Sequence, residues 1–207
     1  MTLQNGAGHE DLLKEFVAED HIIIGTTEDN GAVLGLGHVR HGGAGVTNVG
    51  MLTEDQEGFL PKLKEAFDAC GFQVKIHDNI QQLIWDKLFT NVSLSALTGV
   101  LQVDMGYIAG NEYAWNLCCQ LIHETAMTAK AGGLTFDEDK MREKVRLTSV
   151  NNPNGCTSIR ADLRDGRKTE VDTISGAVVR AAEKYGVEVP GHSFIVRMVH
   201  AMEGRNK

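Results

Sequence analysis

Apolar residues recur along this chain with two different periods. Between His21 and Leu52 they come in short β-branched runs: HIIIGTT at His21–Thr27, AVLGLGHVR at Ala32–Arg40 and GVTNVGML at Gly45–Leu52. Turn signals at Asp29-Asn30-Gly31 and Gly42-Gly43 separate them, so the pattern predicts three consecutive strands joined as an antiparallel meander. Ahead of them, Leu12, Leu13, Phe16 and Val17 mark a short amphipathic helix over His9–Val17. After Thr53 the spacing lengthens. Thr53 as N-cap, acids at Glu54 and Asp55, and a stripe of Phe59, Leu60, Leu63 and Phe67 predict a helix ending at Cys70-Gly71, followed by a strand at Phe72–Ile76. Beyond Asp78 the pattern is helical, interrupted at Gly106–Gly110, Gly132-Gly133, Asn151–Gly155, Asp165-Gly166 and Pro190-Gly191. The expected fold class is α+β, with an α/β part over residues 1–77 and an all-helical domain over 78–207.

Composition narrows the function classes. The 207 residues are 42% hydrophobic and 23% charged, enough apolar content for a folded core. A net charge of −8 without a lysine or arginine run argues against nucleic acid. No stretch reaches the roughly 18 apolar residues of a membrane span, and the opening MTLQNGAGHEDLL is not built as a signal peptide, so a cytoplasmic location is expected. The four cysteines, Cys70, Cys118, Cys119 and Cys156, form no CxxC pair and are expected to be buried thiols. The eight histidines show no HxxxH or HExxH spacing, which leaves a metal site without support.

Two segments carry candidate chemistry. Asn79–Leu101 is apolar almost all round, yet Lys87, Asn91 and Ser95 follow one another at four-residue spacing, so an ammonium, an amide and a hydroxyl line one side of a buried helix. Burial would lower the lysine pKa toward the range useful for proton transfer. The plainer alternative pairs Lys87 with Asp86 or a distant acid and lets Asn91 cap a loop. In the second segment, Ser158–Gly176, Thr169-Glu170-Val171-Asp172 reads as a capping box opening a helix over Val171–Tyr185, with Glu170 beside the free N–H groups of its first turn. A purely capping role for Glu170, or for Ser158 at the short Ile159–Leu163 helix, stands as the alternative. Gly35-Leu-Gly37-His-Val-Arg40 half resembles a dinucleotide fingerprint but has Arg40 for the third glycine and no helix after it, so strand and turn packing account for it better.

Taken together, QNGAG at Gln4–Gly8, RHGGAGVTNVG at Arg40–Gly50, IWDKLFTNVSLSALTGV at Ile84–Val100 and RKTEVDTISG at Arg167–Gly176 resemble the ketopantoate (2-dehydropantoate) reductases in order and spacing. The resemblance implies the rear part of an NADP-binding Rossmann domain over 1–77. It implies a helical substrate domain over 78–207, like the C-terminal domain of 6-phosphogluconate dehydrogenase. It further implies NADPH-dependent reduction of ketopantoate to pantoate, on the route to pantothenate and coenzyme A. In that family's terms Lys87 is the general acid and Glu170 its catalytic partner. Asn91, Ser95 and Ser158 hold the substrate, while Asn5 and Glu170 face the cofactor. Ser95 replaces a second asparagine common in the family, which opens the alternative of another 2-oxo acid. The family's G-x-G-x-x-G turn is missing from these residues, which implies that the chain alone is inactive, or a non-catalytic dimerisation module, and that an open sheet edge favours a homodimer.

Overall fold

Three isoleucines in a row, Ile22, Ile23 and Ile24, are all buried and lead into the first strand of a small sheet in the computed structural model, which describes residues 1–204. The chain divides into two compact units, one holding Met1–Gln4 and Gly8–Ile84, the other Asn5–Ala7 and the residues from Trp85 onward.

In the first unit, helix α1 (His9–Leu13) and a 3₁₀ turn at Glu19–His21 precede β1 (Ile23–Thr27), β2 (Asn30–Gly35), β3 (His38–Gly43) and β4 (Val46–Met51), then α2 (Phe59–Ala69) and β5 (Gln73–Ile76). The expected middle strand at Ala32–Arg40 is instead a hairpin. It folds back at Leu36-Gly37, where Gly37 has φ +69°, and β2 and β3 pair only with each other in a separate two-stranded sheet. The expected meander is therefore replaced by direct pairing of β1 with β4, Ile23 opposite Met51 through Thr27 opposite Thr47. The sheet is also mixed rather than antiparallel: β4 and β5 run parallel, Val46 beside Gln73, and Thr2 bridges Ile24 in parallel. A parallel pair needs a crossover, and α2 supplies it. Ile23, Val49, Met51, Leu60 and Val74 form the buried apolar layer between this sheet and α2.

Two helices differ from expectation, one at its end and one at its start. α1 ends at Leu13 and leaves Phe16 exposed. α2 begins at Phe59 rather than at Thr53, because Asp55, not Thr53, provides the cap: its two carboxylate oxygens accept the N–H groups of Phe59 and Leu60, both at 2.8 Å. Ile80 packs over Gly50, where a Cβ would come within 2.7 Å of the isoleucine side chain, so the first turn of the next helix belongs to this unit.

The second unit is helical: α3 (Ile80–Thr90), a π turn at Asn91–Ser95, then α4 (Ala96–Leu101), α5 (Met105–Gly110), α6 (Glu112–Ala131), α7 (Glu138–Asn151), α8 (Ser158–Arg164), α9 (Ser175–Tyr185) and α10 (Pro190–Glu203). Gly106–Gly110, expected as a break, lies inside α5. The closing three residues of the expected helical domain, 205–207, lie outside the described residues. Its core gathers on α6, whose N-cap Asn111 accepts the Ala114 N–H at 3.0 Å. Phe89 of α3, fully buried, meets Phe136 edge-on with ring centroids 4.9 Å apart. The acid Glu124 of α6 is itself buried and accepts the Gly191 and His192 N–H groups at 2.9 and 3.0 Å, supplying the cap that α10 lacks in its own sequence. Burial pushes the His192 imidazole down to about 4, so it sits neutral beside that carboxylate.

The cysteines do not form one buried class: Cys118 is buried, Cys119 partly so, while Cys70 and Cys156 are exposed because both fall in connections rather than on helix faces. No described helix is long and apolar enough to cross a membrane.

Candidate active site

Every candidate residue of the sequence falls in the second unit. Lys87 stands on α3, half-buried, and the acid beside it, Asp86, takes Lys144 of α7 as its ion-pair partner. One turn later the helix changes. Asn91–Ser95 forms a π turn, whose i→i+5 bonding adds one residue to the turn and rotates the downstream residues by roughly 100°. The expected single file of Lys87, Asn91 and Ser95 is therefore broken: Asn91 stays half-buried while Ser95 turns into the core at 7% exposure. Side-chain hydroxyls supply what the irregular ladder omits, Ser93 donating to the Phe89 carbonyl at 2.5 Å and Thr98 to that of Leu94 at 2.8 Å.

Ser158 lies at the start of α8 and is exposed. The cap of that helix is its neighbour Thr157, whose Oγ1 accepts the Arg160 N–H at 3.4 Å. Thr157 also meets Thr98 at 2.7 Å, a buried hydroxyl pair. Since Thr98 already donates to Leu94, Thr157 is the donor between them. A relay from Arg160 through Thr157 and Thr98 thus ties the helix carrying Ser158 to the π turn carrying Asn91 and Ser95. Gly99 gives α8 its close seat, for a Cβ there would lie 2.5 Å from the Ile159 side chain. Spacing could not single out Thr157 over Ser158, two adjacent hydroxyl residues that cap equally well.

Glu170 is half-buried, but not where the capping-box reading put it. α9 starts at Ser175, four residues later than expected. Residues 170–174 form a turn in which the Glu170 carbonyl accepts the N–H groups of Thr173 and Ile174, both at 3.1 Å. Thr169 does bond the backbone, accepting the Val171 N–H at 3.2 Å, yet this closes a local turn instead of opening the helix. Into this turn docks the bend Asn5–Ala7. The Ala7 N–H donates to the Thr173 carbonyl at 2.9 Å, and the Asn5 side-chain amide donates to the Glu170 carboxylate at 3.4 Å. Gly6 makes the approach possible. Its φ is +98°, and a Cβ would fall 1.9 Å from the Thr173 oxygen.

A second group of residues, separated too far in sequence to leave a pattern, surrounds the same turn. Glu203 at the end of α10 accepts both the N–H and the hydroxyl of Thr169 through Oε1, at 2.7 and 2.8 Å. Its other oxygen faces His200 Nδ1 at 3.0 Å, and His200 Nε2 faces the Asp172 carboxylate at 2.9 Å. The Glu203 hydrogen bond, with Asp172 on the far nitrogen, raises the His200 pKa above its usual value. Burial pushes Glu203 upward, but the Thr169 N–H and His200 outweigh it and hold the carboxyl below the usual range. No cluster of metal-ligating side chains occurs among the described residues.

The chain superposes on oxidoreductases of small oxo and hydroxy acids. A D-mandelate dehydrogenase solved with NADH and anilino(oxo)acetate matches with a TM-score of 0.89 at 28% identity, over 99% of this chain and 66% of that one. A ketopantoate reductase of Ralstonia eutropha matches with a TM-score of 0.88 at 25% identity, over 99% and 66%. Residues 79–203 match the family described as ketopantoate reductase PanE/ApbA C terminal, and residues 1–54 match ketopantoate reductase PanE/ApbA. The 2-dehydropantoate 2-reductase of Halobacterium salinarum is 30% identical over 92% of this chain and 62% of its own length. That of Pyrococcus horikoshii is 28% identical over 98% and 66%. The chain belongs to the ketopantoate reductase family and spans about two thirds of the length of these relatives.

Proposed function

We propose that this chain is the substrate side of an NADPH-dependent reductase that converts ketopantoate to pantoate. Residues 1–77 are the rear of its nucleotide-binding Rossmann domain, and residues 78–207 are a catalytic helical domain of the 6-phosphogluconate-dehydrogenase C-terminal type. Family membership supports the reaction class. The observation that carries the site is the docking of Asn5 against Glu170, which brings a bend near the start of the chain to a carboxylate of the same helical unit.

In this reading Lys87 gives a proton to the ketone oxygen and its ammonium offsets the alkoxide charge built there. Asn91, Ser95 and Ser158 hold the 2-oxo acid by hydrogen bonds, and Glu170 orients the reacting groups together with Asn5. NADPH supplies the hydride when bound. Among the described residues only one end of such a cofactor finds a fit, the polar pair Asn5 and Glu170. The helix that follows Gly8, α1, is five residues long and its cap makes no side-chain bond, too short a seat for a pyrophosphate. A cavity of about 640 Å³ in the first unit is bounded on one side by Met1, Ile23, Met51, Phe59 and Leu63 and on the other by polar residues that include Asp20, Glu54 and Glu57. Its apolar side supports reading the unit as part of a larger domain, and as one prone to self-association as a homodimer.

The 207 residues alone therefore bind NADPH weakly and turn over no ketopantoate. Titrating the chain with NADPH by nucleotide fluorescence tests this, and micromolar affinity would overturn it. A second reading keeps the chemistry and changes the acid. The D-mandelate dehydrogenase match, together with Ser95, favours a bulkier 2-oxo acid, and comparing turnover of ketopantoate with that of an aryl 2-oxo acid by the intact reductase separates the two.

A further inference from the structure

The Glu170 turn has an unusual amount of support behind it. On the side that meets the chain start, Ala7 and Asn5 bond Thr173 and Glu170. On the other side the last turn of α10 reaches back by 34 residues. Glu203 takes both donors of Thr169, the residue immediately before Glu170, and His200 bridges Glu203 to Asp172, two residues after it. Arg180 of α9 also donates to the Asp172 carbonyl at 2.9 Å.

We infer that Glu203 and His200 are positioning residues for Glu170: a carboxylate–imidazole–carboxylate clamp that fixes the backbone on both flanks of this proposed active-site carboxylate without touching substrate. The inference rests on the role given to Glu170 above. Three features argue for positioning over general stability. The bonds converge on two residues that bracket Glu170, one on each side. The Thr169 contact uses backbone N–H and hydroxyl at once, which fixes the direction of the chain as well as its distance. Finally, both imidazole nitrogens face carboxylate oxygens, so the ring links the two flanks of Glu170 along the exposed edge of the turn. A displacement of about 1 Å at such a site is enough to slow a reaction by orders of magnitude.

The test is a double-mutant cycle in the intact reductase, with kcat and KM for ketopantoate measured separately and folding checked by circular dichroism. Glu203→Ala removes the acceptor for Thr169 and is expected to lower kcat/KM about tenfold. Glu203→Gln keeps an oxygen facing Thr169 and is expected to recover to within about threefold of the unmodified enzyme. In a Glu170→Gln background the Glu203→Ala effect should vanish, because the group being positioned is already gone. Should Glu203→Ala fail to fold, His200→Gln enters the same cycle in its place. If Glu170→Gln is slow while folded clamp variants keep the unmodified kcat/KM, or if their losses simply add to that of Glu170→Gln, the clamp inference is overturned. If Glu170→Gln itself runs at the unmodified rate, the reading of the active site falls and the clamp falls with it.

Discussion

Replacing Gly6 with alanine should detach the bend that brings Asn5 to Glu170. The magnitude comes from two contributions. A side chain at φ +98° is held in backbone space that L residues avoid, at a cost of about 1–3 kcal/mol. The new Cβ would also sit 1.9 Å from the Thr173 carbonyl oxygen, a backbone atom that cannot swing aside. Relief requires the segment to move off, which gives up the Ala7 N–H to Thr173 bond, worth about 1 kcal/mol. The docked state of residues 5–7 therefore weakens by about 2–4 kcal/mol, and the helical unit behind it is left standing. Amide hydrogen exchange at Ala7 reads this directly. Exchange should accelerate by roughly 30- to 1000-fold, or until it matches the unprotected rate, since each 1.4 kcal/mol is about a factor of ten. Protection in α6 should stay as it was. Unchanged Ala7 protection in Gly6→Ala would refute the reasoning, because it would mean that neither the backbone angle nor the close approach constrains the segment.

Acid and core packing give two further expectations. Burial pushes the His192 imidazole down to about 4 from 6.5, so the unfolded chain binds its proton first. Stability from this residue is whole above pH 6.5 and drains as pH falls toward 4, by about 3 kcal/mol in all. Urea denaturation between pH 7 and 4 should show that loss and His192→Gln should flatten it; a variant with the same pH slope would contradict the assignment. Phe89→Ala should cost about 3–5 kcal/mol by urea denaturation, because the ring is fully buried and edge-packed on Phe136. A loss under 1 kcal/mol would show that the core closes around the gap.

Local periodicity made the helical half of the chain legible. The stripe of Phe59, Leu60 and Leu63 and the buried helix from Ile80 onward appear where the apolar spacing puts them. What the pattern hid was register and partner. Leu36-Gly37 looks like strand because apolar residues flank it, yet Gly37 supplies the positive φ of a hairpin turn. Thr169-x-x-Asp172 has the letters of a capping box, but Thr169 is already claimed by Glu203 from the far end of the chain, and the helix waits until Ser175. Four-residue spacing aligned Lys87, Asn91 and Ser95 only on the assumption of a regular helix. The π turn, supported by hydroxyl bonds from Ser93 and Thr98, undid that alignment. The sequence proposes the candidate site only as a set of residue types, while contacts such as Asn5 with Glu170, 165 positions apart, are encoded by no local pattern.

The most direct test of the account is the rate of ketopantoate reduction by the intact reductase carrying Lys87→Ala, measured in a single turnover with NADPH prebound. If Lys87 gives the proton, the chemical step should slow by about 100-fold or more, with the fold and NADPH affinity retained. A folded Lys87→Ala enzyme that reduces ketopantoate at the unmodified rate would contradict it.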